Sequence, residues 1–273
     1  MNRIDARFAE LKQQGTVAFI PYIVAGDPTL DITEKIVLEL ERAGCDVIEL
    51  GVPFSDPVAD GVPNQEGAQR ALKNNVSLSA ILDMVKRLRT QSQIPILLFT
   101  YYNPVLAIGH ERFAELAAAA GVDGTLCVDL PPEEAGDYKR AMDAHNLSTV
   151  FLIAPTSTDD RIELIAKQCS GFIYYVSRTG VTGERSEMLN SVKPTVSKIR
   201  THTDKPIAVG FGISSPDQAR EVSGYADGVV VGSAIVRLIG EVGALPDGPA
   251  RVGAFVEPLV KATKERRSPA HAG

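Results

Sequence analysis

Glu49 closes the apolar run Val47-Ile48, and Asp60 ends the proline-bounded segment that follows it, in the stretch ELGVPFSDPVADG at 49–61. A carboxyl group at the end of a buried strand is partly desolvated, which raises its pKa and suits it to proton transfer near neutral pH. A pair of acids at the mouth of a pocket calls for this arrangement, and an ordinary surface loop does not. Taken singly, each acid also has a structural reading: Glu49 as the partner of an arginine or a backbone donor, and Asp56-Pro57 and Asp60-Gly61 as turn pairs.

A second group of residues suits anions. In AVGFGISS at 208–215, Gly210 and Gly212 follow an apolar run and Ser214-Ser215-Pro216 opens a helix; after the next run, Gly232-Ser233 begins another helical turn. Glycines let the backbone approach a ligand, and the unpaired N–H groups and dipole of a helix N-terminus favour negative charge. Gly212, Gly232 and Ser233 are therefore the candidate phosphate seat, with Thr179-Gly180 and Thr182-Gly183 as a third candidate contributor. The four histidines, His110, His145, His202 and His271, have no metal-ligand spacing, so metal chemistry is not expected.

The elements that must position these groups are legible as eight short aliphatic runs: TVAFIPYIV, DVIEL, IPILLFT, GTLCV, STVFLI, FIYYV, PIAVG and DGVVVG. They are apolar on both faces and alternate with segments of helical spacing, among them LDITEKIVLELERAG, LSAILDMVKRLRT, RFAELAAAAG, DDRIELIAKQCSG, SVKPTVSKIRTHT and PDQAREVSG. An α/β fold follows, a single-domain (β/α)8 TIM barrel over residues 1–265. An extra N-terminal helix precedes strand one, a short phosphate-binding helix follows strand eight, and residues 266–273 form a polar tail. An open doubly wound sheet is the alternative. The number of units, and the placement of each glycine-rich or acidic segment after a strand, favour closure. Three similar corners, Ala43-Gly44-Cys45-Asp46, Ala120-Gly121-Val122-Asp123 and Gly224-Tyr225-Ala226-Asp227, read as helix-to-strand joints.

Composition narrows the function classes. With 273 residues, 44% of them hydrophobic, the chain can bury one large core, and its net charge of −6 argues against a basic nucleic-acid surface. Cys45, Cys127 and Cys169 are odd in number and without a CxxC pair, which suits a reducing compartment. The polar start MNRIDARFAELKQQG and the lack of a long apolar run lead us to expect a cytoplasmic protein.

The segments PYIVAGDP, CDVIELGVPFSDPVADG, YYNPV, VDLPPEE, FLIAPTS, YYVSRTGVTGERS, VGFGISSPDQA and GVVVGSAIV carry a resemblance that spans nearly the whole chain. They resemble the α subunits of tryptophan synthases. That resemblance implies reversible cleavage of indole-3-glycerol phosphate to indole and glyceraldehyde 3-phosphate in a retro-aldol reaction. It implies that Glu49 protonates indole C3 and takes part in deprotonating the side-chain hydroxyl, and that Asp60 stabilises the charge developing at the indole N–H. It assigns phosphate to Gly183, Gly212, Gly232 and Ser233, and loop closure onto Asp60 to Thr182. Tyr174 would lie near the substrate, with Tyr22, Phe99, Leu126 and Phe211 as pocket walls. Two departures stand out: Tyr22 where the family commonly has Phe, and Asp60-Gly61-Val62-Pro63-Asn64-Gln65, with its proline one place late and Asn64 at a usually apolar position.

The resemblance further implies a partner, a β subunit that carries pyridoxal phosphate (PLP) and receives indole, in an α2β2 heterotetramer. Matching contact residues are Pro53, Asp56, Asn103, Pro104, Asp129 and Pro131, and this chain would need no cofactor or metal of its own. A stand-alone lyase that releases indole, and a barrel kept as a regulatory subunit, are the alternatives. Retention of both Glu49 and Asp60 disfavours the latter.

Overall fold

A computed structural model describes residues 2–176, 185–210 and 212–265, with only the backbone described at 185–191. The predicted polar tail 266–273 lies outside the described residues.

Nine parallel strands alternate with helices: β1 Ala18–Val24, β2 Ile48–Gly51, β3 Ile96–Thr100, β4 Gly124–Cys127, β5 Ser148–Thr149, β6 Leu152–Ile153, β7 Ile173–Val176, β8 Ile207–Gly210 and β9 Gly228–Val231. Their order is β5-β4-β3-β2-β1-β9-β8-β7-β6. The two ends of that order are halves of one stretch, 148–153, so the sheet closes through it. Val150 N–H donates to Thr125 O on one side (2.9 Å), and Tyr174 N–H donates to Phe151 O on the other (3.4 Å).

The run STVFLI, expected as one strand, is thus two short ladders. The physical reason is local competition for donors: Thr149 N–H goes to Ser170 Oγ (2.8 Å) and Phe151 N–H to Cys169 Sγ (3.1 Å).

Residues on alternate faces of the strands separate two apolar layers. One faces the outer helices. The other fills the barrel with Ala18, Ile20, Val47, Leu97, Leu126, Val150, Phe172, Tyr174, Ala208 and Val230. The expected N-terminal helix, α1 Arg3–Gln14, starts at an Asn2 cap and stops at Gly15, whose φ of 65° suits glycine. Its Ile4, Phe8 and Leu11 recur at helical spacing and join the interior layer, which plugs the barrel below the strands.

The three similar corners share one device. Asp46 accepts Phe19 N–H (2.7 Å), Asp123 accepts Ile96 N–H (2.9 Å) and Asp227 accepts Ile207 N–H (3.0 Å), each at or near the start of a neighbouring strand. A basic side chain neutralises each acid: Arg7 and Lys264 at Asp46, Arg3 and Arg89 at Asp123, Arg200 at Asp227. These joints register the strands at the end of the barrel opposite the candidate chemistry.

The outer helices are α2 Leu30–Arg42, α3 Val62–Leu72, α4 Leu78–Leu88, α5 Tyr102–Ile108, α6 His110–Ala120, α7 Gly136–Ala144, α8 Asp159–Gln168, α9 Arg185–Arg200, α10 Pro216–Ser223, α11 Ser233–Val242 and α12 Gly248–Lys264. Thr29, Ser77 and Thr158 cap α2, α4 and α8 through their hydroxyls. Helix α9 begins ahead of the run SVKPTVSKIRTHT and contains Pro194. Among the described residues no helix is long and apolar enough to cross a membrane.

Candidate active site

Glu49 lies in β2, paired in register with Tyr22 of β1 and Leu97 of β3. Its side chain is on the face that fills the barrel, and it is fully buried. Neither carboxylate oxygen has a hydrogen-bond partner among the described residues. Burial alone pushes its pKa from 4.5 to about 8. The structural reading of Glu49 as an acid neutralised by an arginine or a backbone donor therefore finds no partner here. A buried carboxyl without compensation stays protonated at neutral pH and is a proton source.

Asp60 sits at the rim, half-buried, at the end of the loop that leaves β2. Its backbone N–H bonds Pro57 O (3.0 Å), and Gln65 Nε2 holds its carbonyl (2.9 Å). The Tyr101 hydroxyl donates to Asp60 Oδ2 (2.8 Å) and accepts Ala59 N–H (3.0 Å), while its ring stacks on Phe54 with centroids 4.9 Å apart. Tyr101 thus fastens the loop to the end of β3. Sequence reasoning did not single it out, although it lies in the YYNPV segment.

Two phenols lie near Glu49, and one of them, Tyr22, lies near Asp60 as well. The hydroxyl of Tyr22 reaches over β2, into the space a Cβ at Gly51 would need. Tyr174 leans the other way, its hydroxyl 2.9 Å from a Cβ added at Gly210 of β8. Gly51 and Gly210 are therefore seats for phenols, a role that no local pattern announces. Burial holds both hydroxyls protonated well above the ordinary tyrosine range; the charges of Asp60 and Glu49 add to this for Tyr22, and that of Glu49 for Tyr174. Phe99 packs edge-on against Tyr22 with centroids 5.1 Å apart, and Leu126 is fully buried in the interior layer. Thr179, Gly180, Thr182, Gly183 and Phe211 lie outside the described residues.

The anion candidates divide in two. The N-terminus of α10 satisfies itself, since Ser215 Oγ accepts Gln218 N–H (3.4 Å) and Gln218 Oε1 accepts Ser214 N–H (2.9 Å). That of α11 has no side-chain cap after Gly232, and its N1 residue is Ser233. Ile235 and Val236 donate back to Gly232 O, which leaves the earlier N–H groups of this turn to an outside acceptor. Gly212 has φ 77° with nothing within 4 Å of an added Cβ, and Gly232 packs 3.3 Å from Tyr22 Cβ by the same measure. The α11 seat and the Tyr22 ring are thus in contact.

An ion pair between a half-buried arginine and a buried aspartate links these elements. Arg70 of α3 donates to both oxygens of Asp27, just beyond β1 (2.7 and 2.8 Å). Its guanidinium passes Gly240 of α11, where an added Cβ would lie 2.9 Å away. Helix α3 carries the Asp60 loop and α11 the anion seat, so one arginine ties both to β1. Asn64, on α3, has its Oδ1 buried and unpaired among the described residues.

The residues expected at a partner surface fall around the same rim. Asp56, Asn103 and Asp129 are exposed, Pro104 and Pro131 half-buried and Pro53 buried. Asp129 accepts Tyr102 N–H (2.7 Å) at the start of α5. Val58, Val62 and Leu106 are exposed to 73%, 65% and 55%, an unusual run of apolar side chains in water. Among the described residues no group of His, Cys, Asp and Glu could hold a metal ion.

The family model for the tryptophan synthase alpha chain matches residues 8–264. A tryptophan synthase alpha chain from Geobacter sp. (strain M21) is 55% identical over 237 residues, covering 87% of this chain and 89% of that one. The one from Geobacter sulfurreducens is 52% identical over 265 residues, covering 97% and 98%. Among solved structures, tryptophan synthase subunit alpha from Legionella pneumophila str. Paris superposes with a TM-score of 0.89 at 36% identity, over 96% of this chain and 98% of that one. A structure from Aquifex aeolicus VF5 gives 0.88 at 40% identity, over 97% and 100%. By sequence along its length and by its barrel, the chain belongs to the tryptophan synthase alpha chain family.

Proposed function

We propose that the chain cleaves indole-3-glycerol phosphate reversibly to indole and glyceraldehyde 3-phosphate, with Glu49 as the proton carrier. As an alpha chain it is a lyase subunit of tryptophan biosynthesis. The observation that carries the reaction is the isolated, fully buried Glu49 carboxyl with its pKa raised to about 8.

Mostly protonated at neutral pH, Glu49 delivers its proton to indole C3 and turns the ring into an electron sink. The bond from C3 to the glycerol chain then breaks with its electron pair entering the ring. The hydroxyl on the departing carbon loses its proton to the Glu49 carboxylate as the aldehyde forms, so the acid is regenerated. Asp60 accepts a hydrogen bond from the indole N–H, which stabilises the positive charge on the ring nitrogen. Its Oδ2 already accepts the Tyr101 hydroxyl (2.8 Å), which supports an acceptor at the rim. Tyr22, Phe99, Leu126 and Tyr174 form the pocket, with Phe211 as a further wall. The phosphate sits on Gly212, Gly232 and Ser233, with Gly183 joining when Thr182 closes on Asp60. This step requires proton transfer alone, with no metal or cofactor in this chain.

The partner in this proposal is a β subunit carrying PLP, in an α2β2 assembly in the cytoplasm. Pro53, Asp56, Asn103, Pro104, Asp129 and Pro131 form the contact rim. The exposed Val58, Val62 and Leu106 support a surface that is covered in an assembly.

The test is turnover of indole-3-glycerol phosphate by the purified chain, with both products quantified, alone and with a tryptophan synthase β subunit. Weak cleavage that rises strongly with the partner is expected. Absence of cleavage in both conditions, from folded protein, overturns the reading.

A further inference from the structure

We propose that Tyr22 is a positioning residue for Glu49: its hydroxyl donates a hydrogen bond to the Glu49 carboxylate that exists after the proton has gone to substrate. The kinetic part of this inference rests on the lyase reading above.

The need follows from Glu49 itself. A carboxylate left in a fully buried site with neither oxygen bonded is expensive, and it persists through a reaction only where a donor can reach it. Among the described residues the groups around Glu49 are few. Val47, just before β2, and Leu97 and Leu126 of β3 and β4 are apolar. Asp60 is an acceptor when ionised, and the Tyr101 hydroxyl already donates to it (2.8 Å). The two phenols remain, Tyr22 on β1 and Tyr174 on β7, and neither hydroxyl has a hydrogen-bond partner among the described residues.

Geometry favours Tyr22. It is the register partner of Glu49 on the adjoining strand, so both side chains leave the sheet on the same face. Its hydroxyl lies over Gly51, which is two residues beyond Glu49 on that face of β2. Tyr174 stands on β7 with its hydroxyl directed over β8. The Tyr22 ring is held between Phe99 (centroids 5.1 Å) and Gly232, so packing fixes the ring on the Glu49 face of the sheet.

Tyr22 keeps its proton throughout. Desolvation, with the nearby charges of Asp60 and Glu49, holds its hydroxyl well above the ordinary pKa of 10, so it remains a donor at any working pH. Among the described residues Asp60, Tyr101 and Tyr174 are the other titratable groups around the pair, and Gly232 links Tyr22 to the anion seat.

The test is Tyr22→Phe, which keeps the ring and removes only the donor, run beside wild type, Glu49→Gln and Tyr174→Phe. Two readouts are needed. The first is kcat for cleavage against pH with the β subunit present; the second is the Glu49 pKa from the 13C shift of its side-chain carboxyl, measured on the ligand-free chain. Loss of a hydrogen bond to a charged group should lower kcat about tenfold or more. The Glu49 pKa and the high-pH limb of kcat should both rise by about one unit. Affinity for glyceraldehyde 3-phosphate should stay at the wild-type value.

If Tyr22→Phe leaves the Glu49 pKa unmoved, or if Tyr174→Phe moves it more, the assignment is overturned whatever the reaction is. A rise in KM with unchanged kcat and an unchanged pH limb also overturns it, leaving Tyr22 as a wall. Failure of the lyase reading looks different: wild type itself gives no indole, while the carboxyl titration still decides the Tyr22–Glu49 bond.

Discussion

Replacing Glu49 by glutamine should make the protein more stable, increasingly so as pH rises. The pKa of this carboxyl is about 4.5 in an open chain and about 8 in the folded barrel, with burial as the cause. Folding therefore favours the protonated form. Below pH 4.5 the group is neutral in both states and costs nothing extra. Between the two values the unfolded chain ionises and the folded one does not, so wild type loses stability as pH rises; above about 8 the loss is complete. At about 1.4 kcal/mol per unit, the difference reaches roughly 3 kcal/mol at pH 7 and approaches 5 kcal/mol in the alkaline limit. The glutamine amide does not titrate, and the other groups cancel when the two proteins are compared at each pH. Urea unfolding at pH 5, 7 and 9 measures this directly. The stability of Glu49→Gln relative to wild type should rise by about 4 kcal/mol from pH 5 to pH 9. A difference that is constant with pH, or that falls, would refute the claim that Glu49 is held neutral by burial.

The same carboxyl gives the rate its pH dependence: kcat should fall as pH rises through about 8, and a profile flat to pH 10 would remove Glu49 as the proton donor. Gly232→Val should raise KM for indole-3-glycerol phosphate and weaken glyceraldehyde 3-phosphate binding about tenfold or more, because the new side chain meets Tyr22 and the anion seat; wild-type affinity by calorimetry would dismiss the seat. Arg70→Met leaves Asp27 buried without its paired cation and should cost about 3 kcal/mol in urea unfolding. A loss below about 0.5 kcal/mol would show that the clamp between α3 and α11 contributes little.

Much of the barrel was legible because its strands are buried on both faces and so read as aliphatic runs. All eight runs contain strand residues, and helices α2, α4, α6, α8 and α10 announced themselves by apolar spacing and caps. Helices α3, α5, α7 and α12 did not. Helix α3 buries Gly67, Ala68 and Ala71, whose small side chains leave almost no hydrophobic signal, yet a Cβ at Gly67 would meet Val236 at 2.9 Å and Asp27 at 3.1 Å. The close approach that makes the helix necessary also erases its pattern.

By itself the sequence determined which residues can carry chemistry and which end of the barrel they occupy. Glu49 lies in strand β2 ahead of the Asp60 loop, and Gly212 and Gly232 follow strands, so strand polarity gathers them toward the mouth. What only the tertiary structure decided is whether those groups have partners. Among the described residues neither oxygen of Glu49 finds a partner across the barrel, and that isolation depends on residues from β1, β3, β4 and β7. Tyr22 and Tyr174 meet their glycine seats on other strands, Tyr101 reaches Asp60 across the rim, and Arg70 finds Asp27 from another helix. Desolvation and hydrogen bonding act through space between segments distant in the chain, so neither is written in any local run of residues.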